Sequence, residues 1–121
     1  MAEHNELGKQ GERVAVKYMA GIGYKILEQN WYYKHKEIDL IAQKEDLLVI
    51  VEIKTRTNDD WELPEESITN AKIRFLVDAT EAYIMQNNID LEVRFDVIAL
   101  TPENNDWKIE HITEAFYPPV N

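Results

Sequence analysis

Glu52 and Lys54 stand one residue apart at the end of the most apolar run in the chain, Leu47-Leu48-Val49-Ile50-Val51-Glu52-Ile53-Lys54. In an extended strand alternate side chains share a face. The carboxylate and the ammonium therefore point the same way, about 7 Å apart along the backbone. Asp39 lies upstream in a second apolar run, Ile38-Asp39-Leu40-Ile41-Ala42. Charged groups at the ends of neighbouring buried strands are costly to desolvate unless something compensates. A divalent metal and a phosphate compensate well. Asp39 and Glu52 offer hard oxygen ligands, and the backbone carbonyl of Ile53 adds a third. Such a set suits Mg²⁺ or Mn²⁺. The ion lowers the pKa of a bound water and shields phosphate charge. Lys54 is placed to orient that water or to stabilise charge developing in the transition state. The implied chemistry is phosphodiester hydrolysis.

Other residues gather around this core with weaker signals. Glu12 falls at the margin of an apolar helical stripe, beside Gly8, Ala15 and Met19. There it either pairs with Lys9 or Lys17 or leans over the sheet to complete a metal's outer shell. Arg56 continues the face of Glu52 and Lys54, a candidate phosphate contact against the plain reading of a solvated arginine. Lys36, just before Glu37-Ile38-Asp39, is a second candidate contact. Lys72 sits among apolar helix positions, where a lysine more often snorkels to water than reaches for a carboxylate. Asp96, in Arg94-Phe95-Asp96-Val97-Ile98, reads as structural, holding Arg94, Lys72 or a backbone turn. His4, His35 and His111 show no ligand spacing, and His35 reads as a turn residue. No Gly-rich phosphate loop, Ser/His/Asp arrangement or dinucleotide fingerprint is present.

The elements that must position these groups are legible from periodicity. Leu7, Gly11, Val14, Ala15, Tyr18 and Ile22 recur at three- and four-residue steps, predicting a helix over 5–20 with Gly21 as its stop. Strands are predicted over 24–31, 37–43 and 47–55, with Lys44-Glu45-Asp46 as a polar turn. After a polar loop over 56–63, Pro64 opens a long helix to about Gln86. Its expected buried stripe is Ile68, Phe75, Leu76, Ala79, Ala82 and Tyr83, and Asn87-Asn88 ends it. Residues 92–100 and 107–112 read as two further strands, and the tail 116–121 is irregular. Three strands with short turns suggest an antiparallel meander, and a fourth reached through a helix suggests a parallel crossover. The fold class is α/β, a mixed sheet flanked by helices, in one domain over 1–121. The third strand, apolar on both faces, should be central. Polar groups at the end of a central strand are the usual place for a site in such sheets.

Composition narrows the function classes. The 121 residues allow one domain with a real core, and 45% apolar content fits a globular chain. The absence of cysteine removes disulfides, zinc–thiolate sites and thiol nucleophiles, and it suits a reducing cytoplasm. No stretch approaches the roughly 20 apolar residues of a membrane span, and the polar start is not a signal peptide. The net charge of −10 argues against tight nonspecific nucleic-acid binding. Residues 9–36 nevertheless carry six Lys or Arg against two Glu, which permits a local phosphate-binding face.

The order Glu12, Asp39, Glu52-Ile53-Lys54 on helix, strand and strand resembles the PD-(D/E)xK nuclease superfamily, the fold of many restriction enzymes and archaeal Holliday-junction resolvases. The wording is closer still to the bacterial YraN family, uncharacterised proteins to which endonuclease activity is ascribed. The matching pieces are Gly11-Glu12 with Ala15 and Tyr18, then Gly23-Tyr24-Lys25-Ile26-Leu27 and Asn30. After these come residues 37–42, Val51-Glu52-Ile53-Lys54-Thr55-Arg56, Lys72 and residues 94–98. The resemblance implies a restriction-endonuclease-like fold and Mg²⁺- or Mn²⁺-dependent cleavage of DNA, branched or damaged DNA in repair or recombination included. It implies a nucleic-acid partner, no small-molecule cofactor and no membrane, and it leaves self-association open. Two positions depart from the family pattern. Lys36 replaces a glycine before Glu37, and Trp61-Glu62, in an acidic loop, replaces an aromatic-Gly pair. That loop favours the alternative of a non-catalytic nucleic-acid- or protein-binding adaptor on the same fold. An RNA-directed nuclease is a third option.

Overall fold

In the computed structural model, residues 2–57, 64 and 68–118 are described. The elements run α1 (Ala2–Gly21), β1 (Lys25–Tyr33), β2 (Lys36–Lys44), β3 (Leu47–Thr55), α2 (Asn70–Asn87), β4 (Glu92–Glu103) and β5 (Asp106–Ile112). The five strands form one sheet in the order β1-β2-β3-β4-β5. β1, β2 and β3 make the expected antiparallel meander, and β4 joins β3 in parallel after the α2 crossover. β5 returns antiparallel on the far edge. The architecture is the mixed α/β order read from the sequence, with β3 in the centre.

The helices cover opposite faces. Ala15 and Met19 of α1 pack on Leu40, Ala42, Val49, Val51, Ile98 and Leu100. Leu76, Ala79 and Tyr83 of α2 pack on Ile38, Ile41, Leu48, Ile50 and Phe95. Adjacent residues of β3 thus alternate between two dry layers, and each fully buried aliphatic side chain contributes about 1.5–3 kcal/mol. This is why the strand is apolar throughout until Glu52.

Three helix details differ from the periodicity reading. α2 begins at Asn70, capped by Thr69, whose Oγ1 accepts from the Lys72 amide at 3.1 Å. A threonine cap satisfies an orphan helix donor that Pro64 cannot reach from six residues upstream, so Pro64 and Ile68 lie outside the helix. The buried face of α2 is Ile73, Leu76, Ala79, Thr80 and Tyr83, while Phe75 and Ala82 are half-buried. On α1 the closest approach to the sheet is Gly11, Ala15 and Met19, and Ile22 is 42% exposed beyond the helix end. Asn88 closes α2 in the left-handed conformation, as the Asn-Asn pair suggested. Most of the polar loop over 56–63, including Trp61-Glu62, lies outside the described residues.

Candidate active site

β2 and β3 pair from Lys44↔Leu47 only as far as Leu40↔Val51. Beyond that point residues 36–38 stay with β1, residues 52–55 stay with β4, and a notch opens between them. Asp39 sits at its vertex. Ile38 and Ile41 both pack in the α2 layer while Leu40 packs in the α1 layer, so the two-residue alternation breaks at Asp39. The register with β1 runs unbroken across this point, from Gln29↔Leu40 to Trp31↔Ile38, so both strands turn here together rather than one carrying an extra residue. Asn30, opposite in register, takes a left-handed φ of 50° that asparagine tolerates. The Asp39 carboxylate consequently turns across the notch and accepts from the Ile53 amide at 2.8 Å. Because a residue's N–H and C=O project to the same side of a strand, the Ile53 carbonyl faces the notch as well.

Glu52 and Lys54 flank Ile53 on β3. The carboxyl groups of Asp39 and Glu52 couple with each other. Burial, and next the charge of Glu52, push the Asp39 carboxyl up to about 7. Burial raises Glu52 too, against the pull of Lys72, Asp39 and Lys54. Lys72 reaches over from the first turn of α2, its Nζ 3.7 Å from Glu52 Oε1. The sequence reading favoured snorkelling. The Thr69 cap starts the helix three residues before Lys72 and points the lysine at the carboxylate instead. At 3.7 Å the pair is an ion pair too long for a hydrogen bond, and Glu52 Oε1 is buried without a donor. An orphaned, desolvated carboxylate oxygen beside a second carboxyl group is what a cation satisfies.

Glu12 joins from α1. Its carboxyl is raised by burial first and then by Asp39, with Glu37 adding to the effect and Asn30 opposing it. Lys9 opposes the rise as well, so Glu12 feels the acidic groups of β2 while keeping its helix neighbour. Gly11 permits this, since a Cβ there would collide with the Thr55 side chain. The bare helix surface lets α1 settle onto the end of β3 and carry Glu12 to the notch. Among the described residues no group of three or more His, Cys, Asp or Glu side chains is placed to hold a metal ion, so Glu12 does not join Asp39 and Glu52 as a direct ligand. Asp39, Glu52 and the Ile53 carbonyl are the groups that could hold a hard cation such as Mg²⁺ or Mn²⁺.

The remaining candidates are placed less centrally. Arg56 is held by Glu110 of β5, Nη2 to Oε1 at 3.1 Å, and its backbone amide bonds Leu100. Lys36 opens β2, exposed, with Nζ 5.8 Å from the Phe75 ring centroid. His35 lies in the β1–β2 turn.

Asp96 is structural, and its partners are more numerous than the sequence indicated. Fully buried, it accepts two hydrogen bonds from Arg94 at 2.8 Å, one from the Glu114 amide at 3.2 Å, and sits 2.7 Å from His111 Nε2. Lys72 takes no part. Burial alone would raise its carboxyl, but His111 and Arg94 hold it below the usual range. His111 Nδ1 meets Tyr18 of α1 at 3.0 Å, and Arg94 meets Tyr24 at 2.6 Å. This network ties α1, and hence Glu12, to β4 and β5. Sequence reasoning missed His111 because its partners lie 15 and 93 residues away. The one local signal was a histidine inside a strand run.

No helix among the described residues is long and apolar enough to cross a membrane. Residues 11–100 match the model of the uncharacterised protein family UPF0102. Relatives cover almost the whole chain. UPF0102 protein FP2501 of Flavobacterium psychrophilum is 51% identical over 117 residues, 97% of this chain and 98% of its own length. A UPF0102 protein of Bacteroides thetaiotaomicron is 51% identical over 120 residues, 99% of each chain. UPF0102 protein BF0634 of Bacteroides fragilis is 48% identical over 120 residues, again 99% of each. The family resembled in the sequence, YraN, is this one, and the chain belongs to family UPF0102.

Proposed function

We propose that the chain is a divalent-metal-dependent endonuclease that hydrolyses phosphodiester bonds in DNA, branched or damaged DNA included. One observation carries this reading: Asp39 and Glu52, from strands that part between them, bring two buried carboxyl groups and an oxygen without a hydrogen-bond donor to one notch. Asp39, Glu52 and the Ile53 carbonyl would hold Mg²⁺ or Mn²⁺. When bound, the ion supplies charge neutralisation at the phosphate and a more acidic water.

The chain's own groups divide the remaining work. Burial raises the Asp39 carboxyl to about 7 in the free protein, so it must give up a proton on becoming an anionic ligand and cation binding strengthens as pH rises. The Ile53 amide fixes the Asp39 carboxylate in place. Lys72 balances Glu52 in the free protein and can turn to a substrate phosphate as the carboxylate gains a stronger partner. Lys54, next to Ile53, orients the attacking water or stabilises charge on the phosphorane-like transition state. Glu12 holds the outer side of the site through hydrogen bonds to water.

The test is nicking of supercoiled plasmid and cleavage of branched or single-stranded oligonucleotides in Mg²⁺ or Mn²⁺. Activity should vanish in EDTA and in Asp39→Ala and Lys54→Ala. Equal activity in wild type and both variants would refute the proposal. A DNA–RNA competition assigns the nucleic acid.

A second reading is favoured by Lys9, Arg13 and Lys17, all exposed at four-residue steps along α1. They form a basic stripe in a chain of net charge −10. On this reading the protein is a non-catalytic adaptor that binds nucleic acid or an acidic protein through the stripe. It would show no saturable Mn²⁺ uptake, and reversing the three charges would abolish binding. Retained binding in the reversed variant would eliminate it.

A further inference from the structure

Beside the notch, two half-buried aromatic rings gather three ammonium groups. Tyr33 ends β1 and Phe75 lies on α2, with ring centroids 6.3 Å apart. Trp31 stacks behind Tyr33, nearly parallel at 6° and 6.3 Å, and holds it upright. Lys34 Nζ lies 5.2 Å from the Tyr33 centroid. Lys36 and Lys72 stand 5.8 Å and 5.5 Å from the Phe75 centroid. Lys34 and Lys36 are exposed, and Lys72 is the residue that reaches Glu52. The patch therefore runs into the candidate site through a shared side chain.

Tyr33 and Phe75 also pack against the core layer under α2, which accounts for the rings but not for the lysines around them. Ammonium groups gain about 0.5–1 kcal/mol from ring faces at exposed sites, too little to explain three lysines crowded together. Half-buried rings beside ammonium groups match a nucleic-acid strand, whose bases stack while its phosphates pair with the lysines. Only an unpaired strand can use such a surface, because a duplex keeps its base faces buried in its own stack.

We propose that Tyr33 and Phe75, with Lys34, Lys36 and Lys72, form a stacking shelf for unpaired bases. It sets the substrate class as single-stranded or frayed nucleic acid rather than intact duplex. This rests on the nuclease reading for its purpose but not for its binding chemistry. The lysines leave the rings for phosphates as bases arrive. A strand lying on the shelf passes Lys72 and delivers its next phosphate to the notch.

The experiment measures binding without cleavage, by fluorescence anisotropy in EDTA. The labelled probes are a twelve-nucleotide oligothymidylate, an abasic strand of the same length and charge, and a duplex of the same length. The oligothymidylate should bind about tenfold tighter than the abasic strand, as stacking of a base on an aromatic ring provides. Tyr33→Leu and Phe75→Leu should each remove most of that preference while leaving abasic binding unchanged. Lys34→Gln with Lys36→Gln should weaken both single strands alike and flatten the salt dependence. Equal binding of the oligothymidylate and abasic strands by wild type, or tighter binding of the duplex, would overturn the shelf whether or not any variant folds. The two proposals separate cleanly. Metal-dependent cutting lost in Asp39→Ala, without base-dependent binding, keeps the nuclease and removes the shelf. Base-dependent binding without cutting does the reverse.

Discussion

The Ile53 amide donates to the Asp39 carboxylate at 2.8 Å across the point where β2 and β3 part. A hydrogen bond that would have continued the ladder ends on a side chain. The strands are held open without leaving the amide unsatisfied, and the Asp39 carboxylate is fixed toward β3 beside Glu52.

Stability should fall with rising pH because Asp39 is buried beside Glu52. Asp39 is raised from 3.8 to about 7, so the folded chain holds the proton more tightly than the unfolded chain. The associated stability is complete below the unfolded value and lost as pH rises through the folded one. Thermal unfolding without metal should occur at lower temperature at pH 8 than at pH 5. Asp39→Asn should flatten that slope and raise the midpoint at pH 8 by several degrees. A midpoint that does not change between pH 5 and 8 in wild type would show that the fold does not raise the Asp39 carboxyl.

Asp96 should give the opposite slope at acid pH. Its carboxyl is lowered, so its contribution is present above the unfolded value and lost as pH falls through the folded one. Asp96→Ala leaves Arg94 and His111 facing a vacated buried site and should cost about 3–5 kcal/mol in urea unfolding. Tyr18→Phe removes one hydroxyl contact to His111 and should cost about 0.5–1.5 kcal/mol.

Gly11→Ala should destabilise by about 1–3 kcal/mol, since its Cβ meets the Thr55 side chain at the foot of α1. Thr55→Ala in the same chain removes the colliding atoms and should recover most of the loss. A double-mutant cycle in urea checks this coupling. Additive costs would show that α1 does not rest on Thr55.

Lys72→Met should move the titration of the coupled carboxyl pair to higher pH, because Lys72 lowers both members. Carboxyl carbon shifts followed by NMR report it directly. An unmoved titration would mean that Lys72 points to solvent, as its sequence position first suggested.

Much of this was legible in the sequence because it is local. β3 was readable to the residue, since a strand buried on both faces must be continuously apolar and Glu52 marks where burial ends. Asp39 stood out as a carboxylate inside an apolar run. The start of α2 was misplaced because Pro64 is a familiar helix opener and Thr69 a quieter one. Lys72 then looked like an ordinary boundary lysine. His111 was passed over because its meaning lies in Asp96 and Tyr18, which only the folded sheet brings to it. The break in alternation at Asp39 was equally hidden, since Leu40, Ile41 and Ala42 fit either face.

The central claim is that the notch seats a divalent cation, and a crystal soaked in Mn²⁺ tests it most directly. An anomalous peak in contact with Asp39, Glu52 and the Ile53 carbonyl, absent in Asp39→Asn, is the expected result. No peak there at millimolar Mn²⁺ and pH 8, with Lys72 still beside Glu52, would contradict it.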